Sequence, residues 1–230
     1  MKSVGSSGHP HLINLLATWR QGQHNYLLFP WADANLRDYW YSRQPPEGDL
    51  SLVQWIAKQC LGIAEALRKI HRIPSDSNES PSNNDIWGIH GDIKPENILW
   101  FKDEQEKHGK LVICDFGLTR YHGEETRSNA VPAGMTGTYR APEIDTKYTI
   151  SRAYDIWTLG CLYLEFITWY IDGPEGVKVT FAAKRAADDH GSLTHVGFRY
   201  DKFFNCVESD GTSSTKMKAL VKESVKKVRL

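Results

Sequence analysis

Sulfur is scarce in this chain of 230 residues, which has three methionines and four cysteines. Cys60, Cys114, Cys161 and Cys206 fall singly in separate segments, so no C-x-x-C pair supports a zinc site or a dithiol redox centre. Reduced, mostly buried thiols are the expectation. A charge excess is lacking too, since 28 Lys and Arg cancel 28 Asp and Glu. A balanced chain has no global attraction for phosphate backbones or anionic lipid, which argues against nucleic acid and membrane partners. Long apolar runs are also missing: the most apolar stretch, 156–171, is too short to cross a bilayer comfortably and carries Glu165. The first eight residues are small and polar, without the apolar centre of a secretion signal. These absences lead us to expect an intracellular, cytoplasmic protein. What is present, 40% apolar and 24% charged residues, suits one globular domain or one and a half and excludes general disorder.

Two short apolar runs, 12–16 and 26–29, flank a Gln-Gly-Gln-His-Asn stretch and predict a β-hairpin. Two strands alone are marginal, so other elements are expected to cover them. Ser51 with Gln54 reads as a capping box that opens a helix running to about Ile70, with Ile56, Cys60, Ile63, Ala64 and Leu67 along its apolar face. Residues 74–85 hold no aliphatic or aromatic side chain apart from proline and predict a disordered surface insertion. Residues 98–101 and 111–114, joined by a charged turn, predict a second hairpin. The Thr-, Ser- and Gly-rich stretch 118–140 reads as a long mobile loop. Residues 153–171 are apolar almost all round and predict a helix through the centre of a domain. Met217, Leu220, Val221, Val225 and Val228 then draw an apolar stripe on a Lys-rich terminal helix, expected to pack on its own domain.

Chemistry concentrates in four short motifs. Residues 90–99 read H-G-D-I-K-P-E-N-I-L, and Asp115-Phe116-Gly117 follow a short apolar strand. Residues 138–143 read T-Y-R-A-P-E, and 155–160 read D-I-W-T-L-G at the start of the apolar helix. In this order and at these spacings the chain resembles the catalytic half of a eukaryotic protein kinase of the serine/threonine type. The H-G-D-x-x-x-x-N pattern also occurs in aminoglycoside and choline kinases, but Lys94-Pro95-Glu96, the T-Y-R-A-P-E segment and D-I-W-T-L-G resemble protein kinases and not those enzymes.

The resemblance implies an α+β fold, mainly the helical C-lobe, with a remnant β-hairpin and hinge of the N-lobe in residues 1–32 and the lobe itself in 33–230, clipped towards its end. It implies ATP and Mg2+ as cofactors and a Ser or Thr hydroxyl of a protein as acceptor. Phosphoryl transfer asks for positioning and charge neutralisation rather than covalent work. Asp92 would orient the acceptor hydroxyl and take its proton, and Lys94 would set a cation against the moving phosphate. Asn97 and Asp115 would supply hard oxygen ligands to Mg2+. Phe29, Pro30 and Ala32 look like the hinge, with the backbone of Pro30 and Ala32 on the adenine edge, Leu99 under the ring, and Asp33 or Asn35 within reach of the ribose. Thr136 matches the substrate-positioning threonine, with Thr138 near enough to compete. His90 and Phe116 would stack in the spine between lobes, Asp155 would hold the catalytic-loop backbone, and Glu143 would fasten the end of the activation segment.

Two departures qualify this picture. Gly91 stands where regulated kinases carry the Arg that pairs an activation-segment phosphate, so phosphorylation at Thr126, Ser128, Thr136 or Thr138 is not expected to be needed for order. Within these residues nothing can be assigned to the glycine-rich loop, the strand lysine or the helix glutamate of the family, and no arginine is evident as a partner for Glu143. A truncated kinase domain, weak or inactive as it stands, is the expectation, with a non-catalytic kinase-like binding module as the alternative. The protein substrate and oligomeric state are not legible.

Overall fold

The structure, a computed structural model, describes residues 8–71, 87–115, 120–122, 137–146, 151–190, 201–208 and 217–228. The expected insertion at 74–85, Phe116, Thr136, Thr126 and Ser128 lie outside them. In chain order the elements begin with β1 (Ala17–Gln21), β2 (His24–Leu28), β3 (Ala34–Asn35), α1 (Leu36–Ser42), α2 (Leu50–His71) and β4 (Trp87–Ile89). There follow β5 (Ile98–Phe101), β6 (Lys110–Ile113), β7 (Arg120–His122), α3 (Pro142–Thr146) and α4 (Arg152–Glu175). The last are α5 (Phe181–Ala187), β8 (Phe204–Glu208), β9 (Met217–Val221) and α6 (Glu223–Lys226). Long helices with small separate sheets make this an α+β fold. Among the described residues no helix is long and apolar enough to cross a membrane.

Helices α1, α2 and α4 share one core. Leu36, Trp40, Leu52, Trp55, Ile63, Leu67, Leu162, Phe166 and Trp169 are buried together, joined by Ile98, Trp100, Leu111 and Ile113 of the β5–β6 ladder. Trp40 lies 5.3 Å from Phe166 between ring centroids, and Tyr39 contacts Trp55, Trp100 and Trp169 at 5.7, 5.3 and 5.6 Å. Tilted aromatic pairs of this kind add to the area they bury. Ser51 does not cap α2. Its own N–H, like that of Leu52, donates to Asp49 Oδ1, so the helix starts one residue earlier and its buried face runs Leu52, Trp55, Gln59, Ile63, Ala66, Ile70. Ile56, Cys60 and Ala64 flank that face instead of forming it.

The central helix α4 is capped by Ser151, whose side chain accepts from Ala153 N–H, and it breaks at Gly173 (φ 70°, ψ −166°) ahead of Pro174. It is not apolar all round: Ile156 and Ile171 are exposed, while Asp155, Thr158, Glu165 and Thr168 are buried. Each of those polar side chains has a partner, which satisfies the cost of burying it.

The expected second hairpin forms, with Ile98 opposite Ile113 and Phe101 opposite Lys110. The first hairpin also forms, but from different residues. Residues 12–16 do not supply its first strand; β1 is Ala17–Gln21, turning through Gly22 (φ 61°) and Gln23 into β2. Leu12 instead bridges to Ile113, and Ile13 N–H donates to the Ile113 carbonyl at 2.9 Å, so this apolar run edges the β5–β6 ladder and buries Leu12 and Ile13 there. Of the stretch 118–140 read as a mobile loop, 120–122 pair with 87–89, and α3 begins only beyond it at Pro142. The terminal helix is a further correction. Met217–Val221 is a strand paired with Phe204–Glu208, in which half-buried Met217 and Ala219 alternate with exposed Lys218 and Leu220. Only Glu223–Lys226 is helical, and its buried Val225 does pack on the domain.

Candidate active site

A single carboxylate organises the loop that carries the first motif. Asp155, fully buried in the first turn of α4, accepts from the backbone N–H of His90 at 2.8 Å and of Gly91 at 2.8 Å, and His71 Nε2 at the end of α2 lies 2.7 Å from its Oδ2. Gly91 takes φ 83°, the left-handed region that glycine enters without penalty, and this turns the chain so that Asp92 faces inward. His90 Nε2 meets the Cys114 carbonyl at 3.0 Å, tying the loop to the end of β6. Burial lowers the His90 pKa; Asp155, the Cys114 carbonyl, Asp92 and Asp115 act in the opposite sense.

Asp92, Lys94 and Asn97 are brought together directly. Lys94 Nζ lies 2.7 Å from Asp92 Oδ2. Asn97 Nδ2 donates to the Asp92 carbonyl at 2.8 Å and to Asp92 Oδ2 at 2.9 Å. Asp92 and Asn97 are buried, and the one-turn helix Pro95–Asn97 between them fixes their spacing. Cys114 N–H donates to the Asn97 carbonyl at 3.0 Å, which delivers Asp115 beside the loop. Asp115 is exposed and has φ 62°, a left-handed conformation that costs a non-glycine residue on the order of 1–3 kcal/mol and clusters at functional sites. Cys114 is not an activated thiol: burial, then Asp115, push its pKa up to about 12.

The remaining expected residues are distributed as follows. Phe29 is exposed, and Pro30 and Ala32 are half-buried. The stretch leads into β3, where Asn35 stands opposite Leu99 and Ala34 opposite Trp100. Asn35 caps α1, accepting from Asp38 N–H at 2.9 Å, and Asp33 accepts from Lys102 N–H at 2.8 Å, so both have structural duties. Thr138 Oγ1 donates to Asp201 Oδ1 at 2.7 Å and is likewise engaged in the fold. Glu143 is half-buried at the start of α3.

Sequence reading missed a buried polar network behind the site. Glu165 accepts from Arg37, Arg185 and the Tyr139 hydroxyl, and Arg185 also donates to the Asp201 carbonyl at 2.8 Å. The Arg185 guanidinium lies 4.2 and 4.3 Å from the Phe181 and Phe203 ring centroids. The one sequence signal was Glu165 itself, a lone charge in an apolar helix.

A basic side chain against a buried carboxylate, an amide locked to it, and a second carboxylate at the end of a neighbouring strand thus stand together at the end of β6. The family model described as "Protein kinase domain" matches residues 1–227, and the chain belongs to the protein kinase family. Among similar proteins, "Cyclin-dependent kinase-like 4" of Mus musculus is 32% identical over 166 residues, 70% of this chain and 40% of that protein. A "G-type lectin S-receptor-like serine/threonine-protein kinase" of Arabidopsis thaliana is 32% identical over 168 residues, 71% of this chain and 18% of that protein. The "Serine/threonine-protein kinase/endoribonuclease ire-1" of Caenorhabditis elegans is 28% identical over 167 residues, 71% of this chain and 16% of that protein. The chain thus spans less than half the length of these relatives.

Proposed function

We propose that the chain carries the catalytic lobe of a serine/threonine protein kinase, which transfers the ATP γ-phosphate to a Ser or Thr hydroxyl of a protein. The observation that carries this reading is the mutual contact of Asp92, Lys94 and Asn97 beside Asp115. Asp92 accepts the hydroxyl proton, and Lys94 neutralises charge on the transferring group. Residues 1–32 supply the hairpin and hinge, and 33–230 the helical lobe. The hinge at Phe29, Pro30 and Ala32, with Leu99, receives the adenine. Thr136 positions the substrate, a role supported by the engagement of its competitor Thr138 with Asp201.

The donor set fits magnesium. Both Asn97 Nδ2 bonds go to Asp92, which turns Oδ1 the other way, and Asp115 presents an exposed carboxylate. Two hard oxygens suit an ion that takes its other ligands from phosphate and water. Asn97 Oδ1 and the Asp115 carboxylate would hold the ion, which when bound neutralises phosphate charge.

Because nothing within these residues is assigned to the glycine-rich loop or the strand lysine, turnover by the 230 residues alone is expected to be slow. One lost preorganised donor costs about 2.7–4 kcal/mol of transition-state stabilisation. The test is Mg-ATP-dependent labelling of a generic protein substrate by the purified chain beside Asp92→Asn. Slow labelling that disappears in the variant is expected. Labelling that persists in Asp92→Asn would refute the role of Asp92, and nucleotide-independent capture of a protein without labelling would favour a binding module.

A further inference from the structure

Arg37 is the second residue of α1, and its guanidinium donates to three separate parts of the molecule. Its Nε–H goes to Glu96 Oε1 at 2.9 Å, one terminal nitrogen to Glu165 Oε2 at 3.0 Å, and the other to the Tyr139 hydroxyl at 2.8 Å. Glu96 belongs to the turn that holds Asn97 against Asp92. Tyr139 lies in the segment 137–140 and donates in turn to Glu165, while its neighbour Thr138 is held by Asp201. Glu165 sits on the buried face of the 24-residue α4, and its second oxygen accepts from Arg185 at 3.2 Å. Burial alone would lower the Arg37 pKa, but Tyr139, Glu165 and Glu96 raise it above the ordinary arginine value, so the cation is permanent.

We infer that Arg37 is a positioning residue that sets the distance between the catalytic loop and segment 137–140, with Glu165 as the fixed point of the pair. Only a planar fork with five donors can satisfy three acceptors in three directions; a lysine ammonium on the same stem is a point charge and cannot. The N-cap bond from Asp38 to Asn35 fixes the first turn of α1 and therefore the origin of the Arg37 side chain. Glu96 and Tyr139 each bond to Arg37, so a change at either reaches the other through this one side chain. The consequence for turnover rests on the kinase reading above; the geometric coupling does not.

Amide hydrogen exchange of the 230-residue chain decides the coupling without any activity. In Arg37→Lys and Arg37→Ala, the amides of Asn97, bonded to the Lys94 carbonyl, and of Arg140, bonded to the Gly137 carbonyl, should lose protection together. The expected loss is about tenfold or more, with α2 and the first half of α4 unchanged. Equal loss throughout α2 and α4 would mean that Arg37 only stabilises the fold, and loss in one segment alone would refute the coupling; either result overturns the inference. Where labelling of a Ser/Thr peptide is measurable, kcat/KM for the peptide should fall about 100-fold, as expected for misplacement by an ångström, with KM for ATP little changed. Guanidinium ion should restore Arg37→Ala, and the lysine variant should remain impaired. Unaltered peptide kinetics in both variants would overturn the inference, whereas absence of labelling in the unmodified chain would count against the kinase reading and leave the exchange result to decide Arg37.

Discussion

Gly91 and Asp155 show how one backbone angle sets up the site. With φ at 83° and its N–H on the Asp155 carboxylate, Gly91 permits the turn that carries Asp92 to Lys94 and Asn97. A Cβ at this angle costs about 1–2 kcal/mol, so Gly91→Ala should lower the denaturation midpoint and loosen the loop. Urea titration followed by circular dichroism checks the direction; an unchanged midpoint would show that the loop can relax. Asp92, Lys94 and Asn97 were legible because their contacts span at most five residues and the motif contains them all. The Arg37–Glu165 pair was not, because its bond joins residues 128 apart and nothing in the sequence ties the lone charge Glu165 to Arg37. The contact of Thr138 with Asp201 was not legible either, because it joins residues 63 apart.

Helix α2 depends on a close approach that its apolar periodicity does not reveal. Gly62 faces His11, whose Nδ1 lies 2.7 Å from the Leu111 carbonyl, and a Cβ on Gly62 would come within 2.6 Å of the ring carbon Cε1. The imidazole cannot swing aside without abandoning that bond. Gly62→Ala is therefore expected to destabilise the chain by about 1–3 kcal/mol despite the better helix propensity of alanine. Thermal unfolding checks it, and a stabilised variant would mean that the ring has an alternative seat. Helix α2 was legible from its periodic apolar face, and α4 and the β5–β6 ladder from apolar runs of the length each element needs. Residues 12–16 and 217–221 were misread because their apolar residues fit more than one period, and the partner strand, β6 or β8, decided between them. Asp49 outcompeted Ser51 as cap because its carboxylate accepts from both the Ser51 and Leu52 N–H groups.

Across the whole molecule, buried His11 and His90 contribute to the dependence on pH. Burial lowers the pKa of His11 and His90 from 6.5; for His11 the Leu111 carbonyl and Glu65 offset this in part, while His9 and Lys110 add to it. In the unfolded chain each would titrate near 6.5, so the unfolded state binds more protons between that value and the lower folded values. Stability is therefore complete above that window and falls as pH drops through it. Melting temperatures measured from about pH 8 to about pH 5 should decline on the acid side, and the decline should be shallower in His11→Asn. A flat profile would mean that other carboxylate and histidine shifts cancel these two.

The β1–β2 hairpin stands apart from all of this. Each of its ten strand residues is exposed, Trp19 stacks on Tyr26 at 5.1 Å, and Trp31 just beyond is 95% exposed, whereas Trp40, Trp55, Trp100 and Trp169 are buried in the core. These six indoles thus form two optical populations. Light emitted from the hairpin reports the surrounding solvent, light emitted from the core reports the folded interior, and one spectrum carries both signals at once.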